Sequence, residues 1–470
     1  MKVCAGQRLT VEDICNVAVN SPVSMCQESL QLLSRSRKAY EAGASLGKVY
    51  GYSTGLGALA SAEEGTWRGR EAQVLREHDL GIGPEAPREV VRAAMLVRAS
   101  QLAQGFAPVR PEVAQRLVDS LNYDIVPAVS LEGSVGASGD LAPLARISRC
   151  IYSGEGQATV RGRRLSCGEA LEAAGLKPLE LGPGEALAII NSNAFSVAMA
   201  SLGVCASLRL LGESLNVMSE TLEVTGCNPQ HFSTAVANSK RLEGVKDVVA
   251  SLKVDCQRSP RLQDPYCIRC VPQVYGSALE VLRFAAKLLE AEAYSSSDNP
   301  FVYNDSVYHA CNFHASAAGM ASDMAKVALA HVGNMIERRT AHLLSSATTG
   351  LPDFLAVKGT VVGAMIYQYT AASLAAKLRQ LASPGSVHSI PTSGLQEDVV
   401  SMAPNSSYEL LRSTAVLARL IAVEDALASQ ASKVARGLPL DDPKDALERS
   451  LAKVVGEAGL SGLSFIVNLA

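Results

Sequence analysis

The feature that most limits what this chain can fold into is the stretch from Ala186 to Leu208, which contains no Asp, Glu, Lys or Arg. A run this apolar has to leave water, either for lipid or for the inside of a protein. Asn191, Ser192 and Asn193 interrupt it, and three consecutive polar side chains need partners that a protein interior offers and hydrocarbon does not. A helix buried in protein is therefore expected. Gly359 to Ala376 is also uncharged and rich in Ala, Gly, Thr and Tyr, and it reads the same way. Leu208, Leu211, Leu215, Met218 and Leu222 recur at intervals of three and four, as do Leu279, Leu282, Ala286 and Leu289, and Leu410, Thr414, Leu417 and Ile421. That is the spacing of packed helices. Strand patterning is sparse. Gln157 to Val160, a turn at Arg161-Gly162, and Arg163 to Leu165 predict one small hairpin. The fold expected is mainly α, a helical bundle that other subunits could complete.

At 470 residues the chain is too long for one ordinary core. Glycine and proline concentrate at Gly51–Gly57, Gly133–Pro143, Gly182–Gly184 and Ser383–Thr392, which sets loops apart from long helices. The division expected is a loop-rich N-terminal part over 1–185 and a long-helix bundle with a short C-terminal extension over 186–470. The 43 basic and 46 acidic side chains leave a net charge of −3 without a long run of either sign. That argues against nucleic acid or a membrane surface as partner and for a small molecule. Met1 to Arg8 lacks the apolar stretch of an export signal, so a cytoplasmic location is expected. The eleven cysteines accordingly read as reduced thiols. Cys267 and Cys270 have metal-like spacing, but no second pair stands nearby, and no metal is expected.

The densest run of small residues is Gly133-Ser134-Val135-Gly136-Ala137-Ser138-Gly139-Asp140-Leu141-Ala142-Pro143-Leu144. Its backbone can turn tightly and approach itself. If the Gly139 amide nitrogen attacks the Ala137 carbonyl carbon, a five-membered imidazolone forms, and loss of the Ser138 hydroxyl as water leaves an exocyclic methylidene. Glycine is an unhindered nucleophile, serine carries the leaving hydroxyl, and alanine crowds nothing. The tripeptide alone would usually be a plain turn.

The whole segment, however, closely resembles the prosthetic-group loop of the aromatic amino-acid ammonia-lyase and aminomutase family. The resemblance runs in the family's order from Tyr50 to about Met402, and its histidine-type branch matches best. It implies the long antiparallel helical-bundle fold of the ammonia-lyases, shared with the fumarase and aspartase group, although the Gly-Ser-Ser-x-Met-Pro loop of that group does not occur here. It also implies a 4-methylidene-imidazole-5-one made from Ala137, Ser138 and Gly139, no dissociable cofactor, and a homotetramer whose active sites are each assembled from three subunits.

By the same resemblance, Tyr50 in Tyr50-Gly51-Tyr52-Ser53-Thr54-Gly55-Leu56-Gly57 is the catalytic base, a role that requires its phenol to fall below the usual value of about 10. Asn191 contacts the prosthetic group and substrate. In Gln263-Asp264-Pro265-Tyr266-Cys267-Ile268-Arg269, Arg269 holds the substrate carboxylate through paired donors, while Gln263 and Tyr266 line the site, Tyr266 near the reacting amine. Ser297-Asp298-Asn299-Pro300 and Asn312-Phe313-His314 are landmarks. Phe313 walls the prosthetic group, and His314 reads as structural. Gln396 and Glu397 belong to a histidine-type signature whose glutamate faces the distal end of the substrate. His78 matches a histidine of that branch, which points to L-histidine as substrate and urocanate as product.

The departures are specific. Glu77 stands where serine is usual, so it either joins Glu397 as a second distal carboxylate or is a solvated helix residue. Ser192-Asn193-Ala194 replaces Gly-Thr-Gln, Ser316-Ala317 replaces Glu-Pro, Val399 replaces a histidine, and the C-terminal part is short. These leave room for an aminomutase, for a lyase acting on another polar or basic amino acid, and for a non-catalytic helical assembly that keeps only the fold.

Overall fold

The computed structural model describes residues 1–61, 69–252 and 261–469. Its backbone is mainly helical, as expected. Four long helices dominate, Ala194–Thr225, Val271–Ala293, Ser316–Leu343 and Ala403–Ala435. The longest spans about 50 Å at the α-helical rise of ~1.5 Å per residue. Along the predicted stripes Leu211, Leu215, Met218, Leu222, Leu282, Leu289, Leu410, Thr414, Leu417 and Ile421 are buried. Glycine sets how closely the helices approach. A Cβ on Gly203 would lie 2.7 Å from Leu410 Cγ, and one on Gly333 would lie 2.5 Å from Leu378 Cδ1. Each glycine is thus a notch that receives a leucine from another helix.

The residues form two compact units. One comprises Met1–Leu202, Ala286–Ser322 and Pro384–Tyr408; the other comprises Gly203–Ala285, Asp323–Ser383 and Glu409–Ala470. These units interleave along the chain. In the first unit the Arg88–Ala103 helix is buried along nearly its whole length. Its Arg98 meets Asp298 at 2.6 Å, with side chains 1% and 0% exposed, and also donates to the carbonyl of Ala188 and to Ser297 Oγ. The Ser297-Asp298 landmark is therefore an internal anchor. In the second unit Arg339 pairs with Glu424 at 2.6 Å, both fully buried, and Arg339 donates to Tyr275 Oη.

The expected hairpin is present. Gln157–Val160 pairs antiparallel with Arg163–Ser166, and Ile125–Pro127 adds a third strand. Arg161 and Gly162 both have positive φ, +47° and +79°, as a two-residue hairpin turn demands.

Two expectations are corrected. The 359–376 stretch is not a helix buried on all sides: the helix begins only at Ile366 and runs to Leu381. It buries Tyr367, Ala371, Ala375 and Leu378, while Val361, Ile366 and Tyr369 are exposed. Lack of charge marked a half-buried helix and its approach loop. By contrast, 89% of the most apolar window in Glu185–Thr225 is buried within the protein. Nor are the cysteines all thiols. Cys4 is bonded to Cys26 and Cys150 to Cys167, with Cα atoms 5.0 and 5.2 Å apart. The first pair meets because Lys2–Val3 lies in parallel pairing with Ser24–Met25, a contact that cysteine spacing does not announce. Cys227 is disulfide-bonded as well, and Cys256 lies outside the described residues.

Breaking the Arg98–Asp298 pair on one side strands a charge in the core. Asp298→Ala is therefore expected to cost about 3–5 kcal/mol, read as a large drop in the urea midpoint.

Candidate active site

The tripeptide Ala137-Ser138-Gly139 lies between Gly136 and the start of the Leu141–Ser148 helix. Gly136 and Gly139 have φ of +62° and +71°, the left-handed region that suits glycine. A Cβ at Gly139 would sit 2.4–2.7 Å from the backbone N, C and O of Ser192, so only glycine permits this approach. Asp140 fastens the far end. Its N–H donates to Ser192 O at 2.7 Å, and its carboxylate accepts from Ser196 N and Ser196 Oγ, each at 2.7 Å. Burial raises the Asp140 carboxyl to about 6 against these hydrogen bonds, which pull it down. The near end is tied to the 401–402 segment: Ser401 Oγ donates to Gly136 O at 2.9 Å, and Met402 N to Val135 O at 2.9 Å.

Asn191 ends the short Glu185–Ile190 helix. Its Nδ2 donates to Ser138 O at 2.9 Å, while its Oδ1 is buried with no hydrogen-bond partner among the described residues. An orphaned buried acceptor of this kind is costly unless something else occupies it. The glycine-only approach at Gly139, the amide on Ser138 O and the unmatched Oδ1 are what an imidazolone formed at this tripeptide would need around it, so the residues fit the expected group.

Two cavities meet at Ser138. The larger, about 640 Å³, is lined by Tyr50, Arg70, Gln73, Glu77, His78, Ser138, Asn191 and Glu397, among others. The smaller, about 340 Å³, shares Tyr50, Ser138 and Glu397 and adds Ala137, Phe313, His314 and Gln396. Tyr50 Oη accepts the Gly57 N–H at 2.8 Å. Burial raises its pKa above 10, that hydrogen bond opposes the rise, and the Glu397 charge adds to it. Glu397 also accepts from Thr392 Oγ1 at 2.7 Å.

Glu77 and His78 close the Arg70–His78 helix. Glu77 accepts from Gln73 Nε2 at 2.6 Å, and His78 Nδ1 is 2.7 Å from Val74 O. A carbonyl can only accept, so the His78 proton sits on Nδ1. His314 contacts Ser316 Oγ and Val399 O through its two ring nitrogens, as a residue holding two loops together would.

The structure thus brings Tyr50, Glu77, His78, Ala137, Ser138, Asn191, Phe313, Gln396 and Glu397 to the same pair of cavities, with Gly139 packed behind them. Gln263, Tyr266 and Arg269 lie instead in the second compact unit, in and just before the short Tyr266–Arg269 helix. They cluster among themselves: Arg269 donates to Gln263 Oε1 at 2.7 Å and stacks 4.7 Å over the Tyr266 ring. Tyr266 is 69% exposed.

Sequence reasoning missed Asp140, Arg70, which donates to the carbonyls of Gly51 and Thr54, and Glu71, which accepts from Gly184 N and Ala186 N. The carboxylate directly after a run of small residues was a usable signal for Asp140. Nothing in the sequence marks the other two.

The family model for aromatic amino acid lyases matches residues 9–455. The chain is 40% identical over 404 residues to the histidine ammonia-lyase of Paracidovorax citrulli, covering 83% of this chain and 79% of that protein. It is 36% identical over 467 residues to the histidine ammonia-lyase of a Geobacillus species, covering 94% and 90%. Among solved structures, the tyrosine aminomutase of Streptomyces globisporus superposes with a TM-score of 0.91 at 28% identity over the full length of both chains.

Gly139→Ala is expected to destabilise the protein well beyond Gly162→Ala. Both introduce a side chain at positive φ, at a cost of about 1 kcal/mol, but nothing lies within 4 Å of the Gly162 position. Equal urea midpoints for the two variants would contradict the close packing on Ser192.

Proposed function

The chain belongs to the aromatic amino acid lyase family, and from that premise we propose that it eliminates ammonia from L-histidine to give urocanate. It is a carbon–nitrogen lyase. The observation that carries the substrate is that His78 and Glu397 line the same cavity as Tyr50 and Ser138, so an imidazole can meet a carboxylate while its β-carbon faces the phenol. The prosthetic group expected at Ala137-Ser138-Gly139 would supply the electrophile and electron sink that make the amine a better leaving group.

The remaining work falls to side chains. Tyr50 takes the β-proton on its phenolic oxygen, and the Gly57 N–H is placed to stabilise the phenolate. Asn191 fixes the Ser138 carbonyl through Nδ2, and Phe313 walls the smaller cavity. Glu397 and His78 hold the imidazole, with Gln396 beside them and Glu77 as a second distal carboxylate.

Arg269, with Gln263 and Tyr266, holds the substrate carboxylate. We assign this cluster to the site of another copy in a cytoplasmic homotetramer. The exposed Tyr266 supports that reading, as do Phe284, Met320 and Val327, which stand exposed on the long helices. A second reading, an aminomutase that returns ammonia to the β-carbon, is favoured by the likeness to tyrosine aminomutase.

Purified protein given L-histidine should produce urocanate absorbance, and its intact mass should fall short of the sequence mass by two waters. Absence of urocanate would sink the substrate assignment, and a β-amino acid product would establish the mutase.

Glu397→Gln separates binding from base strength. Loss of the charged contact should lower kcat/KM about 10- to 100-fold. Because the Glu397 charge raises the Tyr50 pKa, removing it should lower that pKa. The limb on which kcat/KM rises with pH should then move to lower pH, and an unmoved limb would exclude Tyr50 as the titrating base.

A further inference from the structure

The geometry points to Arg70 and Glu71 as a positioning pair that sets the base and the prosthetic-group loop at a fixed separation. They are consecutive residues at the start of the Arg70–His78 helix, 4% and 8% exposed, and they reach in different directions.

Arg70 grips the base loop. Its Nη1 donates to Gly51 O and its Nη2 to Thr54 O, each at 2.8 Å. Both carbonyls lie in the turn that immediately follows Tyr50, and the Tyr50 hydroxyl closes the same loop by accepting the Gly57 N–H. The planar guanidinium spans two acceptors with a fixed spacing, so the turn cannot open without breaking two charge-assisted bonds.

Glu71 grips the other side. Its two carboxylate oxygens accept separately from Gly184 N at 3.1 Å and Ala186 N at 2.8 Å. Those amides begin the Glu185–Ile190 helix, which ends at Asn191, and Asn191 holds Ser138 O. Only one helix of six residues, about 9 Å long, separates the Glu71 carboxylate from the amide that orients the tripeptide. Arg70 Nη1 and Glu71 Oε1 lie 3.4 Å apart, which links the two grips. The helix that carries both continues to Gln73, Glu77 and His78 on the cavity wall. One short helix thus references the base, the prosthetic-group loop and the distal pocket to one another.

Arg70 borders the larger cavity, but its terminal nitrogens are engaged by the carbonyls of Gly51 and Thr54 and the Glu71 carboxylate by the amides of Gly184 and Ala186, so both act through others. A misplacement of about 1 Å at a reacting centre can cost ~100-fold in rate, and two buried grips on opposite loops are a direct way to prevent it. The assignment rests on the lyase reading above.

The test uses the full chain and four variants, Arg70→Met, Arg70→Lys, Glu71→Ala and Glu71→Gln, each followed by hydrogen exchange, intact mass and steady-state kinetics. Arg70→Met should raise deuterium uptake in peptides covering 49–58 and leave 184–193 unchanged. It should retain the mass two waters short of the sequence and lower kcat about 10- to 100-fold with little change in KM. Arg70→Lys, which keeps one point-like donor group, should recover part of kcat. Glu71→Ala should instead raise uptake over 184–193 and reduce the fraction of molecules that lose two waters. Glu71→Gln, with one oxygen left to accept, should fall between.

Wild-type uptake in both peptides together with wild-type kcat in Arg70→Met and Glu71→Ala would overturn the proposal, as would identical patterns from the two positions. Should Arg70→Met or Glu71→Ala exchange globally, Arg70→Lys and Glu71→Gln carry the same comparison. A wild-type chain with the full sequence mass and no turnover would defeat the lyase reading alone, because the two exchange patterns test the grips without any reaction.

Discussion

The contact between Gly139 and the backbone of Ser192 is the constraint around which the site is arranged. It requires an extended polar break between two apolar helices, because only there can a second backbone come so close. Asn191, Ser192 and Asn193 provide that break, and all three are buried. Each is held. Asn191 donates to Ser138 O, Ser192 O accepts from Asp140 N, Ser192 Oγ donates to Gln101, and Asn193 donates to Glu292. Unpaired, these groups would each cost about 1–3 kcal/mol. Paired, they tie the interruption of the Ala186–Leu208 stretch to the tripeptide, to Gln101 and to Glu292. The exception is Asn191 Oδ1, which is buried with no hydrogen-bond partner among the described residues, on the same side chain that holds Ser138 O.

Much of this was legible because it is local. The tripeptide, its glycines and the hairpin at Arg161-Gly162 depend on residues within a few positions of one another. The helical stripes were equally readable, since period and burial follow from the same side chains. Uncharged composition proved a weaker guide: it identified the buried Ala194–Thr225 helix and overstated the burial of Ile366–Leu381. In the second case a small-residue face and an exposed face carry the same lack of charge.

What stayed hidden was the long-range pairing. Arg70 and Glu71 stand in no motif that the sequence displays. Their partners Gly51, Thr54, Gly184 and Ala186 are all backbone groups, so no complementary side chain betrays them. The disulfides were missed for a related reason. Cys4 meets Cys26 through strand pairing and Cys150 meets Cys167 through the packing of two short helical turns, neither of which is written in cysteine spacing. Arg269 was proposed by likeness alone, and Gln263 and Tyr266 are grouped with it by short contacts within their own unit.

The electrostatics of Tyr50 tie specificity to catalysis. A buried phenol with Glu397 nearby is held above its ordinary pKa, which is the wrong direction for a base. Arg70 beside its loop directs its terminal nitrogens at the carbonyls of Gly51 and Thr54. In the proposed reaction the compensating positive charge then arrives with the substrate. An imidazole that takes a proton against Glu397, or an ammonium near Ser138, neutralises the carboxylate's influence and adds attraction for the phenolate. An amino acid with a neutral, apolar side chain would fill the cavity but leave the Glu397 charge acting on Tyr50. On this argument the carboxylate that recognises a basic side chain also penalises the base until that side chain is present, so a poorly matched substrate loses rate as well as affinity.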